Sequence, residues 1–437
     1  MNLAHHFKLV SWAAASKIPP VIYGFVFLFV LMTSLSPSEH GQYATVYYFF
    51  TIITLLVKFL IFHPMIHFAS APGRFERVTR IGFQLSGLFY ILFGLIIWFS
   101  APVISEMWRI PVNLVRIAPL LMAAIFFREL GYCIQQTRFN TKNLFIIESV
   151  YFLGSASGFV VLASMGKLTT AYSALAVHLY AAIASTMVVL ITGFRGTKLF
   201  GRIYLSEIKE LLQYGWTTLG IGFSGFIMSA GADVLLFGAI FTQKEVGFYN
   251  GAKHAYRMLS NISQAVALVI MPYASQLIAQ KRFSELKATY EKVIGYIVAI
   301  ALTICSVGWL IAGWVYGSLF KGEYVESTPI LRLLLVGATF EAIYTISANI
   351  LYGAGYAGSV AMISLITVAI WLVVSIPGIY FWGGMGAALG LTVAMIFAGI
   401  MQHKIAAERF DTNFENIAGR LGRNISSIFK ILKSRNH

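Results

Sequence analysis

LLQYGWTTLGIGFSGFIMSAGADVLLFGAIFTQKEVGFYNGAKHAYRML, residues 211–259, is the stretch whose reading decides the fold. Two long apolar runs flank a short polar turn, Thr242-Gln-Lys-Glu245. A helix needs about 20 apolar residues to cross a bilayer. The first run reaches that length, and so does the second once it is followed to residue 278. Asp233 interrupts the first run, and Lys253, His254 and Arg257 interrupt the second. Ionisable groups at such depth are costly in hydrocarbon and normally face a protein interior or a wet cavity. The stretch reads as two membrane helices that carry buried charge for a reason.

The rest of the chain agrees with a membrane setting. Of its 437 residues 58% are hydrophobic and 11% charged, against about 25% charged in a soluble domain. The fold class is therefore all-α integral membrane, with about twelve transmembrane helices. They are expected near residues 12–34, 43–63, 83–101, 114–134, 144–164, 172–192, 213–241, 248–278, 293–315, 329–352, 359–381 and 386–403. No small-residue cleavage site follows the first apolar run, so that run is expected to stay as a span. Cys133 and Cys305 both lie in apolar runs with no metal-like spacing and read as packing residues.

Orientation follows from the loops. Most Lys and Arg fall on one side, in the loops around Arg74, Arg138, Lys198 and Arg282 and in the tail after Phe410. The opposite side holds Arg109, Lys167, Lys244 and Lys321. Both termini are thus expected to be cytoplasmic. The net charge of +15 reads as this bias together with anionic headgroups, not as a nucleic-acid site. The loops are short, and no Gly-x-x-x-x-Gly-Lys-Ser/Thr phosphate loop occurs, which excludes ATP hydrolysis. In the tail, Ile417, Leu421, Ile425, Ile428 and Leu432 recur at helical spacing between basic residues. This predicts an amphipathic helix on the inner membrane surface.

The chain also repeats itself. Glu39-His-Gly41-Gln-Tyr43 is echoed by Glu245-Val-Gly247-Phe-Tyr249. At nearly the same spacing Phe68-Ala-Ser70 is echoed by Tyr273-Ala-Ser275, Arg74-Phe75 by Arg282-Phe283, and Arg116 by Arg332. This predicts two parallel six-helix lobes, residues 1–200 and 201–403, followed by a basic tail, 404–437. Two such lobes suit a carrier that rocks around a site between them.

The expected spans contain Lys58, Arg116, Arg128, Lys253, Arg257 and Arg332 against Asp233, Glu129, Glu148 and Glu341. An interior richer in cations favours an anionic cargo, and Arg grips phosphate oxygens bidentately. Arg257, Lys253, Arg128, Arg116, Arg332 and Lys58 are the candidate substrate contacts. Lys253 and Arg257, four apart, share a helix face. Asp233 and Glu341 are candidates for a coupling ion or for structural pairing. Arg128 and Glu148 are expected to pair across a short loop. His178 reads as a hydrogen-bonded residue within a span. No metal site, cofactor or catalytic residue is expected.

At these residues the chain resembles a known family. Asp233-Val-Leu-Leu-Phe-Gly238, Glu245-Val-Gly-Phe-Tyr249, Ala252-Lys253, Lys281-Arg-Phe-Ser-Glu-Leu286, Pro329-Ile-Leu-Arg-Leu-Leu-Leu335 and Gly383-Gly-Met-Gly-Ala-Ala-Leu-Gly390 are similar to Wzx-type polysaccharide flippases. So is Leu35-Ser-Pro-Ser-Glu-His-Gly-Gln-Tyr43 in the first half. That family belongs to the multidrug/oligosaccharidyl-lipid/polysaccharide (MOP) exporter superfamily. The resemblance implies movement of an undecaprenyl-pyrophosphate-linked oligosaccharide to the outer leaflet of the bacterial inner membrane. Membrane lipids are the expected surroundings and a polysaccharide polymerase a candidate partner, and return is expected to be coupled to a proton or sodium ion or driven by the membrane potential acting on the charges. One departure is Lys17, at the inner edge of the first span where relatives carry deeper basic residues. Rival readings are a cation-coupled multidrug antiporter of the same superfamily, a lipid II flippase, which often carries extra spans beyond twelve, and a membrane-embedded polysaccharide-modifying enzyme or polymerase. A drug antiporter would want a carboxylate-rich site, and an enzyme a larger outer loop.

Overall fold

The computed structural model describes residues 12, 15–16, 18–69, 73–192, 194, 197, 199–229, 231–320, 322–413 and 415. Among these every regular element is a helix. In chain order they are α1 (Ile18–Ser34), α2 (Pro37–Ala69), α3 (Phe75–Trp108), α4 (Val112–Thr137), α5 (Thr141–Ser164) and α6 (Ala171–Thr192). Then come α7 (Leu205–Ser229), α8 (Ala232–Ile240), α9 (Gln243–Ala279), α10 (Phe283–Leu319), α11 (Ser327–Gly353) and α12 (Ala357–Arg409). Nine of them are long and apolar enough to cross a membrane, and α1 is a shorter apolar helix. Both cysteines are buried and unbridged, as expected.

Two expected spans differ in form. The seventh, read as one helix over 213–241, breaks into α7 and α8. Gly231 takes φ 77° there, and a Cβ at that position would lie 2.2 Å from the Tyr48 ring. The helix yields because only glycine fits both the ring and the left-handed backbone. The eleventh and twelfth spans form one element, α12, which turns back on itself. Gly383 leaves helical geometry at φ 55°, ψ −130°. Beyond it, the Gly386 backbone lies against that of Gly378, and Gly390 lies against Ser375. That pairing is possible only if the segments after and before Gly383 run antiparallel. α12 is therefore a helical hairpin, and every expected span has its helix. The predicted amphipathic helix of the tail falls mostly outside the described residues, as does Lys17.

The starts of α2 and α9 show why the repeat exists locally. Ser36 caps α2 by accepting from the Glu39 N–H, with Pro37 in the first turn. Thr242 accepts in the same way from the Glu245 N–H, while the Glu245 carboxylate takes the Thr242 N–H at 3.0 Å. Such caps satisfy the unpaired donors of a helix start. One turn on, a Cβ on Gly41 would meet the Gln243 carbonyl, and a Cβ on Gly247 would meet the Pro37 carbonyl. Gln243 stands in the second copy where Pro37 stands in the first. The two repeated helix starts thus cross in direct backbone contact, each glycine against the other copy's first turn.

The structure divides into two compact units: Met1–Gly251 with Leu319–Tyr324, and Ala252–Ser318 with the chain from Val325 onward. In the first, α4 is the central helix, with 67% of its apolar window buried, while α3 is peripheral at 22%. In the second, α11 is central at 56% and α10 peripheral at 22%. In each unit the most buried of these spans directly follows the least buried one along the chain. In the second unit Ile270, Leu277, Tyr290, Ile346, Ile350 and Val360 are among the core residues that join α9, α10, α11 and α12.

Candidate functional site

In the second unit, Lys253, Tyr256, Arg257 and Ser260 follow one another at helical spacing and form one face of α9. Lys253 is only 1% exposed, Tyr256 and Ser260 are buried, and Arg257 is half-buried. The opposing group is Glu341, in the middle of α11. Its Oε2 accepts the Ser260 hydroxyl at 2.5 Å. Tyr256 is a second hydrogen-bonding neighbour, and the charges of Arg257 and Lys253 act on the carboxylate. Sequence reading singled out Lys253, Arg257 and Glu341 separately, and the fold brings them together. It missed Tyr256 and Ser260, whose spacing from Lys253 along the same helix face was the available signal.

The site is cationic on balance: Lys253 and Arg257 share the α9 face whose Ser260 donates to Glu341. In a low-dielectric interior, charge of this kind is costly unless it is paired and hydrogen-bonded. Such a face attracts anions, and the planar guanidinium of Arg257 suits two oxygens of one phosphate.

Asp233 belongs to the first unit and lies in the first turn of α8, 2% exposed. Its carboxylate accepts the Tyr249 hydroxyl at 2.5 Å and the Val234 N–H at 2.9 Å. Tyr249 is the tyrosine of the second repeated turn. Its counterpart Tyr43 bonds the imidazole of His178, with 2.8 Å between the hydroxyl and Nε2. His178 is fully buried, and Tyr23 and Tyr151 also bond its ring nitrogens. This agrees with its reading as a hydrogen-bonded residue.

Arg128, on α4, is buried and bonds both Glu129 and Glu148, the latter at 2.9 Å. Its guanidinium also lies 4.4 Å from the Tyr151 ring centroid. The pairing with Glu148 was expected, and the neighbouring Glu129 completes a triad. Arg116 lies over Trp98 at 5.1 Å, and Arg332 over Trp309 at 4.7 Å. These two arginines were recognised as repeat partners, and the structure extends the repeat to their tryptophans. Lys58 is half-buried and opens the π-helical turn Lys58–Phe62 inside α2. Among the described residues, no group of three or more His, Cys, Asp or Glu side chains is arranged to hold a metal.

Comparison with known proteins gives the setting. The family described as "Polysaccharide biosynthesis protein" matches residues 30–329. An uncharacterized membrane protein of Methanocaldococcus jannaschii is 26% identical over 208 residues, covering 46% of this chain and 41% of that protein. The match thus spans less than half the length of that relative. Among solved structures, the lipid II flippase MurJ in an inward closed conformation superposes with a TM-score of 0.75 at 12% identity. That match covers 98% of this chain and 93% of the flippase. An inward-facing multidrug resistance MATE family transporter of the MOP superfamily gives 0.70 at 13% identity, covering 92% and 98%. At these identities the likeness is one of fold: a multi-pass membrane protein with the architecture of MOP exporters.

Proposed function

This chain belongs to the polysaccharide biosynthesis protein family, and on that premise we propose that it is a lipid-linked oligosaccharide flippase and not an enzyme. It moves an undecaprenyl-pyrophosphate-linked oligosaccharide from the inner to the outer leaflet of the bacterial inner membrane by alternating access. The observation that carries this reading is the cationic face of buried Lys253 and half-buried Arg257 on α9. A diphosphate is the part of such a cargo that needs buried cations, while the sugars need only a wet cavity and the polyprenyl chain stays in lipid. A cationic drug would meet like charge at this face.

In this reading the repeated halves, 1–200 and 201–403, alternate around the cargo, with both termini and the 404–437 tail on the cytoplasmic side. Lys253 and Arg257 grip the diphosphate. Arg128 is held by two carboxylates and Arg116 and Arg332 lie over tryptophans, so they act on the cargo chiefly through their field, as does Lys58. A proton or sodium ion couples through Asp233 or Glu341, and a polysaccharide polymerase receives the product.

The test uses cells whose surface polysaccharide requires this chain. Arg257→Ala and Lys253→Ala are expected to abolish export while the protein remains in the membrane at normal level. Arg257→Lys, which keeps the charge but not the fork, should retain part of it. Full export by both alanine variants would overturn the reading.

A further inference from the structure

Arg332 is held on one side and open on the other. It lies in the second turn of α11 and is half-buried. Its Nε donates to the Trp309 carbonyl at 3.1 Å, and its guanidinium carbon lies 4.7 Å from the centroid of the Trp309 ring. These two contacts fix the group and leave both Nη atoms without an acceptor among the described residues. Nη2 lies beside Gly313, one turn beyond Trp309 on α10, at 3.8 Å from where a Cβ would stand. No side chain fills that space. An arginine that only stretched toward the surface would need neither contact with Trp309.

From Trp309 a groove of about 400 Å³ runs between α10 and α11. Leu302, Trp309 and Leu310 line it from one helix, and Leu335, Val336 and Phe340 from the other. Leu335 is buried, whereas Leu302, Trp309, Leu310 and Val336 are exposed. With the termini cytoplasmic, α10 ends and α11 begins on the outer side of the membrane. Arg332 and Trp309 therefore mark the outer end of the groove. Phe340 lies about 12 Å further along α11 than Arg332, which approaches the ~15 Å of hydrocarbon in one leaflet.

A cation at headgroup level above an apolar groove of one leaflet's depth matches a phosphate-headed lipid in both its parts. A guanidinium can give two parallel N–H bonds to two oxygens of one phosphate. One guanidinium balances one negative charge. A phosphodiester carries one, while a diphosphate carries more, and a polyprenyl chain would run past the inner end of the groove at Leu302 and Phe340. Charge and length thus select a membrane phospholipid over the cargo.

We propose that Arg332, Trp309 and the α10–α11 groove bind one anionic phospholipid of the outer leaflet. The phosphate takes the Nη groups of Arg332, and an acyl chain fills the groove. Because both helices supply walls, the lipid ties peripheral α10 to central α11. The inference goes beyond the flippase reading and stands whether or not the chain moves a lipid-linked cargo. It gives Arg332 a direct partner besides its field on the cargo.

Native mass spectrometry of the full chain from detergent micelles, titrated with phosphatidylglycerol or with phosphatidylcholine, tests this. The wild type is expected to hold one phosphatidylglycerol about tenfold more tightly than phosphatidylcholine, as the extra charge-assisted bonding implies. Arg332→Ala should lose that preference. Val336→Trp, which fills the groove from an exposed position, should weaken the binding of both lipids. Phosphatidylglycerol should also raise the unfolding temperature of the wild type by mass action, and raise that of each variant less. Each shift is taken from the same protein's lipid-free value, which separates lost binding from lost stability. Equal affinity of the wild type for the two lipids overturns the assignment, and so does an unchanged preference in Arg332→Ala. Displacement of phosphatidylglycerol by equimolar undecaprenyl pyrophosphate would overturn it too, by giving the site to the cargo lipid.

Discussion

Tyr249 donates its hydroxyl to the buried carboxylate of Asp233 at 2.5 Å, whereas its repeat partner Tyr43 bonds the imidazole of His178. One duplicated residue has taken an anionic partner in one copy and an imidazole in the other. Removing a donor to a buried charged group costs more than removing one to a neutral group, about 1.5–3 against 0.5–1.5 kcal/mol. Tyr249→Phe is therefore expected to lower the thermal unfolding temperature in micelles more than Tyr43→Phe does. Equal shifts would contradict the asymmetry.

Arg128 offers a different kind of test. It is the cation between Glu129 and Glu148. Removing one partner from a buried ionic cluster costs roughly 3–5 kcal/mol, while replacing the whole cluster with neutral groups can be far cheaper. Arg128→Met should strongly destabilise the protein, and Arg128→Met combined with Glu129→Gln and Glu148→Gln should recover most of the loss. A triple variant no more stable than the single one would argue against the triad. Measured alongside, export by the stable triple variant reports whether the Arg128 charge serves the cargo.

The α12 hairpin depends on two glycines. A Cβ on Gly386 would fall within 1.8 Å of the Gly378 carbonyl oxygen. The obstacle is backbone, which cannot swing aside as a side chain would. Overpacking of this sort costs about 1–3 kcal/mol or more, so Gly386→Ala should reduce both the yield of folded protein and its unfolding temperature. Gly358, near the start of the same helix, has open space around it. Gly358→Ala is expected to be neutral or to stabilise by about 0.4–1 kcal/mol.

The stacked arginines give a prediction about additivity. Arg116 on Trp98 and Arg332 on Trp309 are confined to different units. A cation–π contact at a partly exposed site contributes about 0.5–1 kcal/mol. Trp98→Leu and Trp309→Leu should each cost that order of stability, and independent sites add within about 0.5 kcal/mol. A double variant well outside the sum would show that the two contacts communicate.

The helices were legible in the sequence because hydrocarbon length and apolar composition leave little choice. The repeat was legible from its glycine and tyrosine, and the cationic bias from simple inspection. The break at Gly231 was not, because its cause is the Tyr48 ring, far away in the chain. The meeting of Ser260 with Glu341 was hidden for the same reason. The two residues are 81 positions apart, and only the packing of α9 on α11 joins them. Arg116 and Arg332 could be recognised as equivalents, yet nothing at their own positions announced the tryptophans beneath them. Sequence pattern reports what each helix must do by itself, while the partners across a helix interface depend on its rotation and depth.

The crossing of α2 and α9 through Gly41 and Gly247 bears on the history of the chain. Each glycine is pressed against a main-chain carbonyl of the other copy, and a carbonyl has no alternative rotamer to offer. A substitution at either glycine therefore finds no neighbouring side chain whose change could relieve it. Drift is free to rewrite the residues around such a contact, as it turned His40 into Val246's counterpart and Gln42 into that of Phe248. It is not free to rewrite the contact. The duplicated turn has stayed readable where most of the two halves has diverged because its chemistry is made of backbone.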